Sequence, residues 1–336
     1  MDKKQEQLKK EQRETLKLIG ILSVGVFILL ILSIVLMNSL TVPTTTPEPK
    51  YVDIDNIEGM NLSEARALLE KADITYEIIP SDSYIANKVE KLEFVGVTLT
   101  DTGRLRIRIG TSVKIYANEV DKDKVIYLTF DDGPTRDNTD YILETLAKYN
   151  IKASFFVEGQ DVALYPEKML ATYEAGHVIG CHSYSHVFAD VYASTDAFLG
   201  EVAEYEQALK NALGEEYFAK VEKLIRFPGG TNNSLILEQN PKDYIAAVRQ
   251  NGYKVYDWTA LTGDTENKTE TDDMIEHLMT TLAAAKNKNQ PLIALMHDKW
   301  PVKENDSLSK IIDKLISEGY YFDTIDNCPE FTFVEN

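Results

Sequence analysis

The pattern of apolar and polar positions divides the chain into three parts. Residues 18–37, LIGILSVGVFILLILSIVLM, form an uncharged and mostly apolar run. A helix of that length spans about 30 Å, the thickness of a hydrocarbon core. Lys3, Lys4, Lys9, Lys10, Arg13 and Lys17 precede the run, and no Lys or Arg follows it until Lys50. Positive charge stays on the cytoplasmic side. The pattern therefore predicts a cytoplasmic tail at 1–17, a single-pass helix at 18–37 in the cell membrane, and an extracellular remainder. A cleaved signal peptide has a shorter apolar core of about 7–15 residues and a small-x-small cleavage site. This run is longer and ends in Leu36-Met37-Asn38, so an uncleaved anchor is expected. Residues 38–50, NSLTVPTTTPEPK, carry Pro43, Pro47 and Pro49, which deny both helix and ladder hydrogen bonds. They read as a stiff, extended spacer.

Residues 51–112 read as a small α/β unit. Asn61-Leu62-Ser63-Glu64 has the form of a capping box. Leu62, Ala65, Leu68, Leu69 and Ala72 then fall on one helical face. Residues 74–79 and 105–109 have strand character, the latter alternating Leu105, Ile107 and Ile109 with Arg106 and Arg108. One helix on a few strands buries little surface, so the unit is marginal in size.

From residue 122 to 336 the pattern changes again. Short buried strands are predicted at 125–130, 153–157, 177–181, 224–227, 253–258, 292–296 and 320–325, with helices at 141–149, 198–213, 243–251, 272–285 and 308–318 between them. Strands alternating with helices imply an α/β domain with a parallel sheet. Seven such units can close into a (β/α)7 barrel, which would place function at the C-terminal ends of its strands.

Composition narrows the classes. The 336 residues carry a net charge of -19, which argues against a nucleic-acid binder, since that needs clustered Lys and Arg. Two cysteines, Cys181 and Cys328, cannot build a disulfide framework, and whether they pair stays open.

The chemistry gathers at the predicted strand ends. The first strand ends in Thr129-Phe130-Asp131-Asp132-Gly133-Pro134, and two adjacent carboxylates after an apolar strand need a partner or a metal. The third ends in His182-Ser183-Tyr184-Ser185-His186, whose histidines at i and i+4 share one face of a helical turn and can reach one ion. After the fourth comes Arg226-Phe227-Pro228-Gly229-Gly230, an arginine able to hold a carboxylate and glycines that admit close approach. The fifth gives Asp257-Trp258 and then Asp264; the sixth gives Leu295-Met296-His297-Asp298, whose histidine suits a general acid or base. Each motif alone also fits a plain loop or a packed residue, but together they supply what a hydrolytic metal site needs. Of the five histidines, His177 and His277 read as structural.

These motifs, in order and spacing from residue 125 to 325, resemble the NodB-type polysaccharide deacetylases of carbohydrate esterase family 4. The resemblance implies a distorted (β/α)7 barrel and an N-deacetylase. It implies Asp131 as base, a divalent metal on Asp132, His182 and His186, and His297 as general acid. It further implies Arg226 and Asp264 as partners of base and acid, a backbone donor to the oxyanion at Gly229, and Leu295 with Trp258 lining the substrate pocket. Two imidazoles and a carboxylate suit Zn²⁺, with Co²⁺ or Ni²⁺ also fitting. Departures bear on pocket shape: Gly229 stands where many members have tyrosine, Leu261 where an acidic residue is common, Thr265 where tryptophan is usual, and Cys181 where asparagine is frequent. Residues 51–112 resemble a PASTA repeat, although no proline stands among Gly96 and Gly103. That likeness implies a wall-facing module, as spacer or as binder. Anchor, spacer and module make peptidoglycan the expected polymer, with N-acetylglucosamine or N-acetylmuramic acid as target. A chitin-like oligomer, poly-N-acetylglucosamine, acetylated xylan, or a non-catalytic wall-binding role are the alternatives.

Overall fold

The structure, a computed structural model, describes residues 2–40, 51–93, 97–99, 104–108, 112–265, 270–299 and 306–335. The expected spacer lies outside these from residue 41 onward, as do Gly96, Gly103 and Ile109. Contacts divide the chain into residues 1–51 and 52–336.

The described part of the first unit is chiefly the helix α1 (Asp2–Leu40), which begins well before the apolar run because the Glu-, Lys- and Gln-rich tail is itself made of good helix formers. Its Gln7–Ser33 stretch is long and apolar enough to cross a membrane by length and composition. Ile21, Phe27 and Leu29 stand exposed on it, an apolar surface that water disfavours.

The small module holds β1 (Tyr51–Ile54), α2 (Leu62–Lys71), β2 (Tyr76–Ile79), β3 (Lys91–Glu93), β4 (Val97–Leu99), β5 (Leu105–Arg108) and β6 (Val113–Tyr116). Two three-stranded sheets, ordered β1-β5-β4 and β2-β6-β3, share one core. Asn61 caps α2 by accepting the Ser63 N–H at 3.0 Å, and Leu62, Ala65 and Leu69 are buried as the pattern predicts. The alternation in β5 buries Leu105 and Ile107 and exposes Arg106 and Arg108. A segment of this module also reaches the larger domain. Ile85 bridges Phe322, with the Ala86 N–H donating to the Phe322 carbonyl at 2.9 Å and the Phe322 N–H to the Tyr84 carbonyl at 2.8 Å.

The larger domain carries β7 (Val125–Gly133), β8 (Ser154–Val157), β9 (Val178–Cys181), β10 (Leu224–Ile225), β11 (Lys254–Val255), β12 (Ala260–Leu261), β13 (Leu292–His297) and β14 (Tyr321–Asp323). All their ladders are parallel. Helices separate the strands: α3 (Asn138–Lys148), α4 (Gly159–Leu164), α5 (Pro166–Glu174), α6 (Phe188–Val191), α7 (Thr195–Leu213), α8 (Glu215–Phe218), α9 (Ser234–Leu237), α10 (Pro241–Gln250), α11 (Thr271–Asn287) and α12 (Ser307–Ser317). All seven expected strands are present, and β12 is an eighth.

The expected barrel is present in distorted, open form. The order is β11-β10-β9-β8-β7-β13-β12, and among the described residues no ladder joins β12 to β11. β14 pairs with the first residues of β7 (Tyr321↔Val125), and β8 pairs with its last (Thr129↔Ser154). The C-terminal segment lies along the edge beyond β11. Tyr256 bridges Phe331, the Asp257 N–H donates to the Phe331 carbonyl at 2.7 Å, and Phe331, Tyr256 and Cys328 share a buried cluster. The sheet is thus a curled half-barrel whose open side is filled by chain from the C-terminus.

Candidate active site

β7 brings Thr129, Asp131 and Asp132 to its C-terminal end. Its register against β8 shifts between Asp131 and Gly133, so Asp132 is the extra residue of a bulge, with φ of 67°. In a regular strand, neighbouring side chains point to opposite faces. The bulge breaks that alternation, and both carboxylates approach one imidazole: His182 Nε2 lies 3.7 Å from Asp131 Oδ2 and 3.4 Å from Asp132 Oδ1.

His182 follows β9 directly. Its Nδ1 lies 2.8 Å from the Arg226 carbonyl, so this nitrogen donates the hydrogen bond and Nε2 is left to face Asp132. His186 Nε2 is 3.5 Å from Asp132 Oδ1. The helical turn expected for His182 to His186 does not form. The segment is a loop, with Ser183 at φ 68° and His186 at φ 55°, and the two rings still stand 5.1 Å apart. One ligand atom from each of Asp132, His182 and His186 lies within 4.8 Å of the others. Asp132 Oδ1 is buried and accepts no hydrogen bond. A buried, unpaired carboxylate oxygen is expensive, and a cation between the three side chains would satisfy it. The donor set therefore fits a divalent ion.

The electrostatics agree. Burial alone would lower the His182 pKa, but the Asp131 and Asp132 carboxylates outweigh it and raise the value. Burial would raise Asp132, yet the imidazole of His182 beside it, with the charge of His186, holds it far below the usual carboxylate range. Desolvation of the half-buried His186, with the charge of His182, pushes its pKa down to about 4. The cluster stabilises positive charge at its centre and keeps His186 neutral, as a metal ligand must be.

Arg226, just past β10, is wholly buried. Its Nη1 donates to Thr129 Oγ1 at 2.7 Å and Asp131 Oδ1 at 2.8 Å, Nε to the Tyr256 carbonyl at 3.1 Å, and Nη2 to the Asp257 carbonyl at 3.2 Å. The guanidinium also stacks 4.3 Å from the Phe156 ring centroid. The Trp258 ring centroid lies 5.9 Å from the guanidinium carbon, and the ring packs edge-on against Phe333. Asp257 faces away from this chemistry. Its carboxylate accepts from the Thr231 N–H and hydroxyl and from the Phe333 N–H, tying down the loop after Gly230 and the C-terminal segment.

On the other side of β7, β13 places His297 opposite Asp131 in register. Asp264 grips His297 twice, accepting its backbone N–H at 2.8 Å and lying 3.0 Å from Nδ1. Burial would lower the His297 pKa, but the hydrogen bond and charge of Asp264, then the charges of Asp131 and Asp132, raise it. Leu295 is buried beside Thr129 on the same ladder. Gly229 has φ of 73°, and a Cβ there would lie 2.9 Å from the Phe188 ring, which itself packs edge-on against His186.

Four polar residues near the site were not singled out from sequence with roles. Glu158, at the end of β8, is buried and paired with Lys299 at 2.7 Å; burial pushes its pKa up against that pairing. Asp298 accepts the Thr135 and Thr139 hydroxyls, both at 2.7 Å, and its backbone N–H donates to the Asp131 carbonyl at 2.9 Å. Burial lifts its pKa to about 6. The fourth is Glu201 on α7, which accepts two N–H groups of the histidine loop. Glu158 and Asp298 each had a visible signal, a carboxylate following an apolar strand. His177 is structural as expected: it is buried, and its Nδ1 accepts the Ala153 N–H.

A family model for polysaccharide deacetylase matches residues 118–256. A peptidoglycan-N-acetylglucosamine deacetylase of Bacillus cereus is 33% identical over 201 residues, 60% of this chain and 68% of that protein. Peptidoglycan-N-acetylglucosamine deacetylase PgdA of Listeria monocytogenes is 28% identical over 274 residues, 79% of this chain but 53% of that protein. The crystal structure of the polysaccharide deacetylase Bc1974 from Bacillus cereus superposes with a TM-score of 0.53 at 30% identity, covering 63% of this chain and 98% of that one. Sequence and fold agree over the same domain whose strand ends bring these side chains together, and the chain belongs to the polysaccharide deacetylase family, hydrolases that remove acetyl groups from sugars.

Proposed function

We propose that this deacetylase acts on peptidoglycan outside the cell, removing the acetyl group of N-acetylglucosamine with a divalent ion, Zn²⁺ first among candidates. The observation that carries the metal reading is the orphaned Asp132 Oδ1 between His182 and His186. The substrate reading rests on the peptidoglycan relatives, on the apolar helix α1 as an anchor, and on the small module, read as PASTA-like.

Asp132, His182 and His186 would hold the ion. When bound, it supplies a Lewis acid for the acetyl carbonyl and lowers the pKa of water at an open position toward about 7. Asp131, oriented by Arg226 at 2.8 Å, takes the proton of the attacking water. The Gly229 N–H donates to the developing oxyanion; one such donor is worth about 10²–10³ in rate. His297 then protonates the sugar nitrogen, since an amine leaves poorly without a proton. Asp264 holds that imidazole in orientation and raises its affinity for the proton. Leu295 and Trp258 wall the acetyl pocket.

The test is mass spectrometry of wall fragments incubated with and without the protein, reading which sugar loses its acetyl. Loss from N-acetylglucosamine supports the proposal. Loss from N-acetylmuramic acid changes the target sugar. Acetate released from chitin-like oligomers, poly-N-acetylglucosamine or xylan, but not from wall, would refute the peptidoglycan assignment. Asp131→Asn and His297→Ala should each cut turnover by orders of magnitude with metal still bound.

A further inference from the structure

The loop between His182 and His186 is built against the preferences of its own backbone. Ser183 (φ 68°) and His186 (φ 55°) both occupy the left-handed region without being glycine, each at a cost on the order of 1–2 kcal/mol. Such a conformation persists only where its surroundings hold it. The loop's carbonyls are held by backbone at the start of α4: the Gly159 N–H donates to the Ser183 carbonyl and the Gln160 N–H to the Tyr184 carbonyl, both at 3.0 Å. Its amides are held differently. The Tyr184 and Ser185 N–H groups both donate to Oε2 of Glu201, at 2.8 and 2.7 Å, and the Ser185 hydroxyl donates to Oε1 at 2.8 Å. That hydroxyl in turn accepts the Val187 N–H at 3.2 Å. One carboxylate from α7 therefore grips the two residues between the two strained ones. Charge-assisted bonds of this kind are the strong ones.

We propose that Glu201 is a positioning residue for the metal centre: its carboxylate fixes the loop so that His182 and His186 present their rings to one ion. Glu201 touches neither imidazole and acts through the backbone between them. The inference rests on the metal reading given above. Groups that orient metal ligands from behind are typically worth about 10–100-fold in metal affinity.

The experiment titrates Co²⁺ into the metal-free full chain in detergent, recording affinity and the visible absorption of the bound ion. The proteins are wild type, Glu201→Ala, Glu201→Gln and the exposed neighbour Glu204→Ala. Glu201→Ala should bind Co²⁺ about 10–100-fold more weakly with an altered spectrum. Glu201→Gln, whose amide oxygen can still accept an N–H, should recover part of the loss. Glu204→Ala should match wild type. Glu201→Ala and Glu201→Gln both binding as wild type does, with its spectrum, would overturn the proposal. So would an equal loss in Glu204→Ala, which would mean general loosening of α7. A wild-type chain that takes up neither Co²⁺ nor Zn²⁺ would overturn the metal reading itself, and this inference with it.

Discussion

Replacing Arg226 by Met removes a guanidinium that is wholly buried and leaves the Asp131 carboxylate, itself 2% exposed, without its 2.8 Å partner. The Thr129 hydroxyl and the Tyr256 and Asp257 carbonyls each lose a donor as well. Breaking a buried pair by removing one partner costs about 3–5 kcal/mol, because the remaining charge stays buried. Met fills much of the stem volume, so the cavity contribution stays small. At about 1.4 kcal/mol per decade, the folding equilibrium should fall by about 10²–10⁴. Urea unfolding of the full chain in detergent, without metal, reads this through the fluorescence of Trp258, one of two tryptophans, which packs beside the guanidinium. The decisive comparison is with Asp131→Asn. That change alone should abolish most activity while leaving a neutral acceptor for Arg226. Combined with Arg226→Met, it removes the stranded charge, so the double variant should be more stable than Arg226→Met alone. If the two losses simply add, Asp131 is not a buried anion that depends on Arg226, and the assignment of that pair fails.

Three further outcomes follow from the site. Asp264→Asn removes the charge that raises His297; a general acid works while protonated, so the alkaline limb of the rate-against-pH profile should move to lower pH, and an unmoved limb would refute His297 as the acid. Saturating Zn²⁺ at about 100 times its dissociation constant should stabilise the wild-type fold by about 2.7 kcal/mol, a gain that His182→Ala should abolish in thermal unfolding. Gly229→Ala puts a Cβ 2.9 Å from the Phe188 ring at a φ of 73°; a loss on the order of 1–3 kcal/mol is expected in the same measurement, and none would mean that the ring moves freely.

Long or strongly apolar strands were legible in the sequence, because runs of five or six residues such as 125–130 and 292–296 have few other readings. β12 was not, since the two residues Ala260 and Leu261 carry no period. Where the distorted barrel stays open was not legible, because nothing local announces that Phe331 will lie beside Tyr256. At the site, residue identities could be read but backbone geometry could not. A bulge at Asp132 and a left-handed His186 replace the regular strand and helical turn that the spacing suggested. Glu201 left no trace, because its partners are amides, which every residue owns. Asp257 shows the reverse error: a carboxylate at a strand end that proved to serve the loop after Gly230 and the C-terminal segment.

The facing of Asp131 and His297 across one rung of the β7–β13 ladder has an evolutionary reading. Neighbouring strands sit about 4.8 Å apart wherever they pair, so the separation of the two groups at their bases belongs to the sheet and is inherited with it. Rim segments can be lengthened, shortened or exchanged to suit a different glycan without disturbing that spacing. The ion's cradle enjoys no such insulation, since it hangs on a kinked strand tip and a contorted turn. On the proposed roles, descendants of this scaffold that abandon deacetylation should therefore lose the cation before they lose the acid–base pair.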